Sequence, residues 1–107
     1  MAAKDNLNRT LFHGTAHFFG EDEILDPELS KIPEVKRAFA SPNLAYSKEY
    51  ASRRATRSGM LFAPIYQVTP LDKEENLDEL GWSKEGVLSS KKGFKPEKIV
   101  DWGVRED

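Results

Sequence analysis

Only one stretch of this chain, from Pro42 to about Arg57, carries apolar residues at helical spacing over several turns, and this limits the fold more than any other feature. Ser41 is placed to cap that helix. Pro42 suits its first position, where a missing N–H costs nothing. Leu44, Ala51 and Ala55 recur on one stripe, with Tyr46 and Tyr50 beside it as packing residues. Arg53, Arg54 and Arg57 fall in the last turns, where positive charge complements the helix dipole, and Ser58-Gly59 ends the run. The simplest reading of the three arginines is a solvated helix end, with phosphate binding as the alternative.

The remaining apolar segments are short and read as strands: 10–15, 37–41, 61–68, 86–90 and 98–104. Pro64 implies that the third is an edge strand or contains a bulge. Residues 16–37 form a long irregular stretch in which Ile24, Leu25, Leu29, Ile32 and Val35 are apolar anchors between Pro27 and Pro33. Residues 71–80 are acidic, and residues 91–96 make a lysine-rich turn. Trp82 and Trp102 read as core or hairpin anchors. Few of these strands are linked by helices, so the expected class is α+β with mostly antiparallel strands. A polar lead-in over 1–9 precedes one domain over 10–107.

Composition excludes several functions. The 107 residues carry a formal net charge of -2, which does not call for nucleic acid as the main partner. There is no cysteine and there are only two histidines, so neither a disulfide framework nor a structural zinc site is expected. No apolar run approaches membrane-spanning length, and residues 1–6 lack a signal-peptide core. The expected address is the cytoplasm of a bacterial host cell.

One of the two histidines, His13, ends the first strand and is followed by Gly14 and Thr15. A ring that donates or accepts, then a residue without a side chain, then a hydroxyl suits a ligand cradle. Glycine there lets the chain turn or lets a ligand come close. The competing reading makes His13 the end of a surface strand beside core residues Leu11 and Phe12.

Taken in order, Phe12-His13-Gly14-Thr15, Ala38-Phe39-Ala40-Ser41, Ala45 through Tyr50-Ala51, Ile65-Tyr66-Gln67-Val68-Thr69-Pro70, Glu74-Glu75-Asn76-Leu77 and Pro96-Glu97-Lys98-Ile99-Val100 resemble the small ADP-ribosyltransferases that modify rifamycin antibiotics. The resemblance runs from about Leu11 to Gly103. It implies a small ADP-ribosyltransferase-like fold using NAD as substrate. The nicotinamide–ribose bond would break through an oxocarbenium-like state, and ADP-ribose would pass to a hydroxyl.

It also implies roles for residues. His13 would orient the ribose, with Gly14 and Thr15 offering backbone contacts to the nicotinamide amide. Phe39 and Ser41 would complete the cofactor site, and Glu74 would be the working carboxylate, with Asp72 and Glu75 close enough to replace it. The acids of this segment also read as a solvated face. The basic residues of the helix could meet the NAD pyrophosphate.

The sequence departs from the family at Phe39, where the family has tyrosine; a ring is kept but no hydroxyl. The resemblance ends near Gly103 and does not reach the family's C-terminal helical extension, so rifamycin itself is not the expected acceptor. The expected function is a minimal NAD-dependent mono-ADP-ribosyltransferase acting on an unidentified protein or small-molecule acceptor. The alternative is a catalytically degenerate relative, such as a phage-encoded binding or assembly protein. Binding of nucleic acid through Arg53, Arg54 and Arg57 with Lys91, Lys92, Lys95 and Lys98 is a third reading, opposed by the net charge.

Overall fold

The computed structural model describes residues 10–27, 38–79 and 86–106. Six strands and one helix follow in the order β1 (Leu11–Gly14), β2 (Ala38–Ala40), α1 (Leu44–Ser58), β3 (Phe62–Pro70), β4 (Asp78–Glu79), β5 (Leu88–Ser90) and β6 (Phe94–Val104). They form two three-stranded sheets, ordered β1-β3-β6 and β2-β5-β4, and every pairing is antiparallel. The α+β class expected from the sequence is observed.

The alternation of side chains along β1 and β3 divides the first sheet into two faces. Leu11, Tyr66 and Val68 turn inward and pack with Ala38, Ala40, Leu88 and Phe94, so one core lies between the sheets. Ala63 and Ile65 turn outward and meet Ala51 and Ala55 of α1, with Phe12, Leu44 and Met60 around them, forming a second core under the helix.

Small residues make that helix contact possible. A Cβ on Gly14 would lie 2.7 Å from the Ser47 carbonyl oxygen, and one on Gly103 would lie 2.6 Å from Ala51 atoms. The Ser52 hydroxyl also bonds to the Val104 carbonyl, and Lys48 pairs with Asp101 at 3.6 Å, tying the far side of the helix to β6.

The structure moves several boundaries. The helix starts at Leu44, and its N-cap is Asn43, whose Oδ1 accepts from the Tyr46 N–H at 3.0 Å. Ser41 lies two residues earlier and accepts from the Asn43 N–H instead, so Pro42 precedes the cap. Gly59 ends the helix in the left-handed conformation at φ 69°.

Strand β3 is central rather than an edge, despite Pro64. The Pro64 carbonyl accepts from the Thr15 N–H, so the proline nitrogen also faces Thr15, and the one ladder bond it fails to make, to the Thr15 carbonyl, falls just where β1 has stopped. The register shifts beside Ile65/Tyr66 and Gln67/Val68 add their extra residues, Val100 and Glu97, to β6 and not to the strand that holds Pro64. Strand β6 begins at Phe94, inside the stretch read as a lysine-rich turn, and the acidic segment contributes the short strand β4.

Trp102 is 41% exposed rather than a core anchor. Trp82 and residues 28–37 of the long irregular stretch lie outside the described residues. The described part of that stretch is fastened by Leu25, which exchanges both backbone hydrogen bonds with Phe94. No described helix is long and apolar enough to cross a membrane.

The Gly103–helix contact generates a prediction. In Gly103→Ala the new methyl meets helix backbone, which cannot rotate away. Thermal unfolding should report a loss of about 2–3 kcal/mol. An unchanged melting temperature would show that α1 does not pack this closely on β6.

Candidate functional site

The two sheets meet at one bridge. The Phe12 N–H donates to the Ser41 carbonyl at 2.8 Å, and the Ser41 N–H donates to the Phe12 carbonyl at 2.9 Å. An antiparallel ladder continued from this pair would set Gly14 opposite Phe39 and join their backbones. Instead His13 Nδ1 lies 2.9 Å from the Phe39 carbonyl oxygen. A histidine side chain thus takes the acceptor that a backbone N–H would have taken, and β1 and β2 separate beyond this point. By the alternation of the ladder, the N–H and C=O of Gly14 turn toward the opening.

This contact fixes the chemistry of the ring. A carbonyl oxygen only accepts, so Nδ1 carries the proton and donates. Burial holds the His13 pKa down at about 4, with the positive charge of Arg54 acting in the same direction and the Phe39 carbonyl opposing them. At neutral pH the imidazole is therefore uncharged, and its Nε2 is an acceptor. A sugar hydroxyl would donate to it, rather than receive a proton from it. Phe19 stands near the ring, with centroids 6.5 Å apart, and its N–H donates to the Tyr66 hydroxyl at 2.9 Å.

The residues singled out in the sequence separate into two groups. His13, Gly14, Phe39 and Ser41 come together around the opening. Gly14 has a structural reason to be glycine, because the α1 backbone lies against it on its other face. The Thr15 N–H is taken by Pro64 and the Thr15 hydroxyl by the His17 N–H, so Thr15 is occupied with shaping the chain. Ser41 is buried, and its hydroxyl accepts from Asn43.

Glu74 belongs elsewhere. His13 pairs with Tyr66, and Glu74 lies beyond Pro70, four residues and about 13 Å further along β3. Its own N–H bonds to Asp72, and its carboxylate forms no hydrogen bond or ion pair with any described residue. Both neighbouring acids are engaged. Asp72 pairs with Lys92 at 2.6 Å, which holds its carboxyl below the usual range. Glu75 accepts from the Ser90 hydroxyl and the Lys91 N–H.

The acid that shares a sheet level with the opening is one the sequence reading did not single out. Phe39 pairs with Ser89, and Ser89 pairs with Asp78, so the three lie side by side on the face of the second sheet opposite to Ala38, Ala40, Leu88 and the shared core. Two strand spacings, about 10 Å, separate Asp78 from Phe39. Only a strand over 78–79 places Asp78 there, and two residues within an acidic run give no period from which to read one. The second histidine, His17, lies outside the opening, with Nε2 2.6 Å from a Glu23 carboxylate oxygen that also faces solvent.

An apolar surface adjoins the opening. Phe62 projects from the same face of β3 as Tyr66, and its ring centroid lies 6.4 Å from that of Trp102, which lies 6.0 Å from that of Phe18. All three rings are exposed. No group of three or more potential metal ligands occurs among the described residues. Comparison with family models, with curated proteins and with solved structures finds no match.

The state of His13 sets the direction of a pH effect. The unfolded chain takes up a proton on this histidine near pH 6.5, whereas the folded chain resists until about pH 4. The unfolded state binds more protons between those values, so stability is complete above the window and falls as pH falls through it. His13→Asn keeps a donor for Phe39 and removes the titration. Urea unfolding at pH 7 and pH 5 should show the unsubstituted protein losing about 2 kcal/mol more than the variant. Equal losses would mean that the ring is not held neutral by the fold.

Proposed function

We propose that this chain is a minimal NAD-dependent ADP-ribosyltransferase whose opening between β1 and β2 receives the nicotinamide-ribose end of NAD. The observation that carries the reading is the His13–Phe39 contact, which leaves a neutral ring with its acceptor nitrogen beside a strand edge that no other described strand pairs with. Nε2 of His13 accepts from a ribose hydroxyl. The Gly14 N–H and C=O are a complementary pair for a carboxamide, which offers one donor and one acceptor group in return. The Phe39 ring offers a face for a flat heterocycle, without the hydroxyl that a tyrosine would add.

Transfer breaks the nicotinamide–ribose bond and forms a bond from the same carbon to an acceptor oxygen, whose proton leaves to a base or to water. Positive charge develops at the ribose carbon on the way. A carboxylate near it lowers that barrier, and in this reading Asp78, rather than Glu74, supplies it.

A second reading has one specific observation in its favour. Phe39 lacks the family hydroxyl and Glu74 stands apart from His13, which suits a relative that binds a ligand or partner without turning it over.

Calorimetric titration of NAD, with nicotinamide release followed in the same samples, separates the two. The transferase reading expects saturable binding and slow release. His13→Asn should weaken binding about tenfold, the worth of one hydrogen bond. Asp78→Asn should bind as before but release nicotinamide at least tenfold more slowly. Binding without release in the unsubstituted protein favours the degenerate relative. No heat at millimolar NAD removes NAD from both readings.

A further inference from the structure

The outer face of the first sheet is covered by α1 only over its Ala63–Ile65 end. Further along β3 the outward residues are Gln67 and Thr69, since Val68 between them is in the inner core. Above them lies a groove of about 630 Å³, walled by Pro70 and Leu71. That volume is in the range of a site for one small molecule.

The register slip between Gln67 and Val68 decides what lines it. Gln67 pairs with Lys98, whereas Val68 pairs with Pro96, so Glu97 is an extra residue in β6. The bulge lets Glu97 and Lys98 both reach the groove, and Lys95 joins them beside Thr69. Lys73 closes the rim from the loop after β3.

The result is three cations against one carboxylate, in a chain whose net charge is -2. The Glu97 carboxylate is itself fixed, accepting from the Thr69 hydroxyl at 2.9 Å. Elsewhere Lys48, Arg53 and Lys92 each have a carboxylate partner, whereas Arg54, Arg57 and Lys91 form no ion pair with any described residue. Lys73, Lys95 and Lys98 form no ion pair with any described residue. Lysines that line one groove with a hydroxyl and an amide, in excess of its single carboxylate, suit an anion with several oxygens.

From this charge complementarity we infer that the groove binds a small molecule carrying two or more linked phosphates. The site is separate from the one beside His13, which opens on the inner side of the same sheet, and it stands whether or not that site binds NAD.

Inorganic tripolyphosphate is the probe. Titrated into the full chain in low salt, it should bind saturably at millimolar concentration or below. It should shift the backbone amide resonances of Gln67, Thr69, Lys73 and Lys98, and leave those of His13 and Gly14 in place. The double variant Lys95→Gln/Lys98→Gln, altered only at exposed positions, should fold normally and bind at least tenfold more weakly; His13→Asn should bind as the unsubstituted protein does. Raising the salt to about 0.3 M should weaken binding, as expected for exposed charges.

No saturable binding, or equal binding by the double variant, overturns the inference. So does a single-stranded oligonucleotide that shifts the groove amides when tripolyphosphate does not, because the groove would then read a nucleic-acid strand. NAD that binds His13→Asn but not the lysine variant would support the groove and defeat the NAD site beside His13.

Discussion

The two backbone hydrogen bonds between Phe12 and Ser41 organise this structure. They join the edge strand of one sheet to the edge strand of the other at a single point. On one side of that point the sheets close over a shared core of Leu11, Tyr66, Val68, Leu88 and Phe94. On the other side β1 and β2 separate. The separation has a specific cause: His13 Nδ1 occupies the Phe39 carbonyl, so a ladder bond is replaced by a bond to a side chain. A backbone pair costs little to leave open at the surface, where water satisfies it. The same pair, with no partner strand among the described residues and beside a half-buried ring, can hold a polar ligand.

Close approach of α1 to the first sheet depends on residues with almost no side chain. Ala51 and Ala55 are fully buried, and Gly14 and Gly103 lie directly beneath helix backbone. This changes the meaning of the glycine after His13. Its missing Cβ admits the helix on one face of β1, while its backbone groups face the opening. One residue therefore couples the packing of the helix to the geometry of the candidate site, and substitutions that move α1 will also move His13.

Charge is distributed in a similarly divided way. The acidic segment after β3 is mostly spent on structure, through Asp72 with Lys92 and Glu75 with Ser90 and Lys91. These bonds fasten the loop to the turn between β5 and β6 and align β4 beside β5. That alignment carries Asp78 to the level of Phe39. On the outer face the bulge in β6 does the opposite, collecting three lysines around the single carboxylate of Glu97.

The sequence by itself determined the class of fold, because its signals are local. A helical stripe over about fifteen residues can only be buried as a helix, and short apolar runs between turn residues can only be satisfied as strands. It also singled out His13, Gly14, Phe39 and Ser41, which the fold brings together. Tertiary structure alone decided the rest, because each remaining feature depends on what lies across space. Pro64 fits a central strand only because β1 stops beside it. Asn43, not Ser41, caps α1, since Ser41 is held by its bridge to Phe12. Trp102 is exposed because no described element covers that end of the sheet. Glu74 and Asp78 sit four positions apart in one acidic run, and only the pairing of β4 with β5 sets one of them on the level of the opening. Register is a property of two strands, and a single strand's sequence does not contain it.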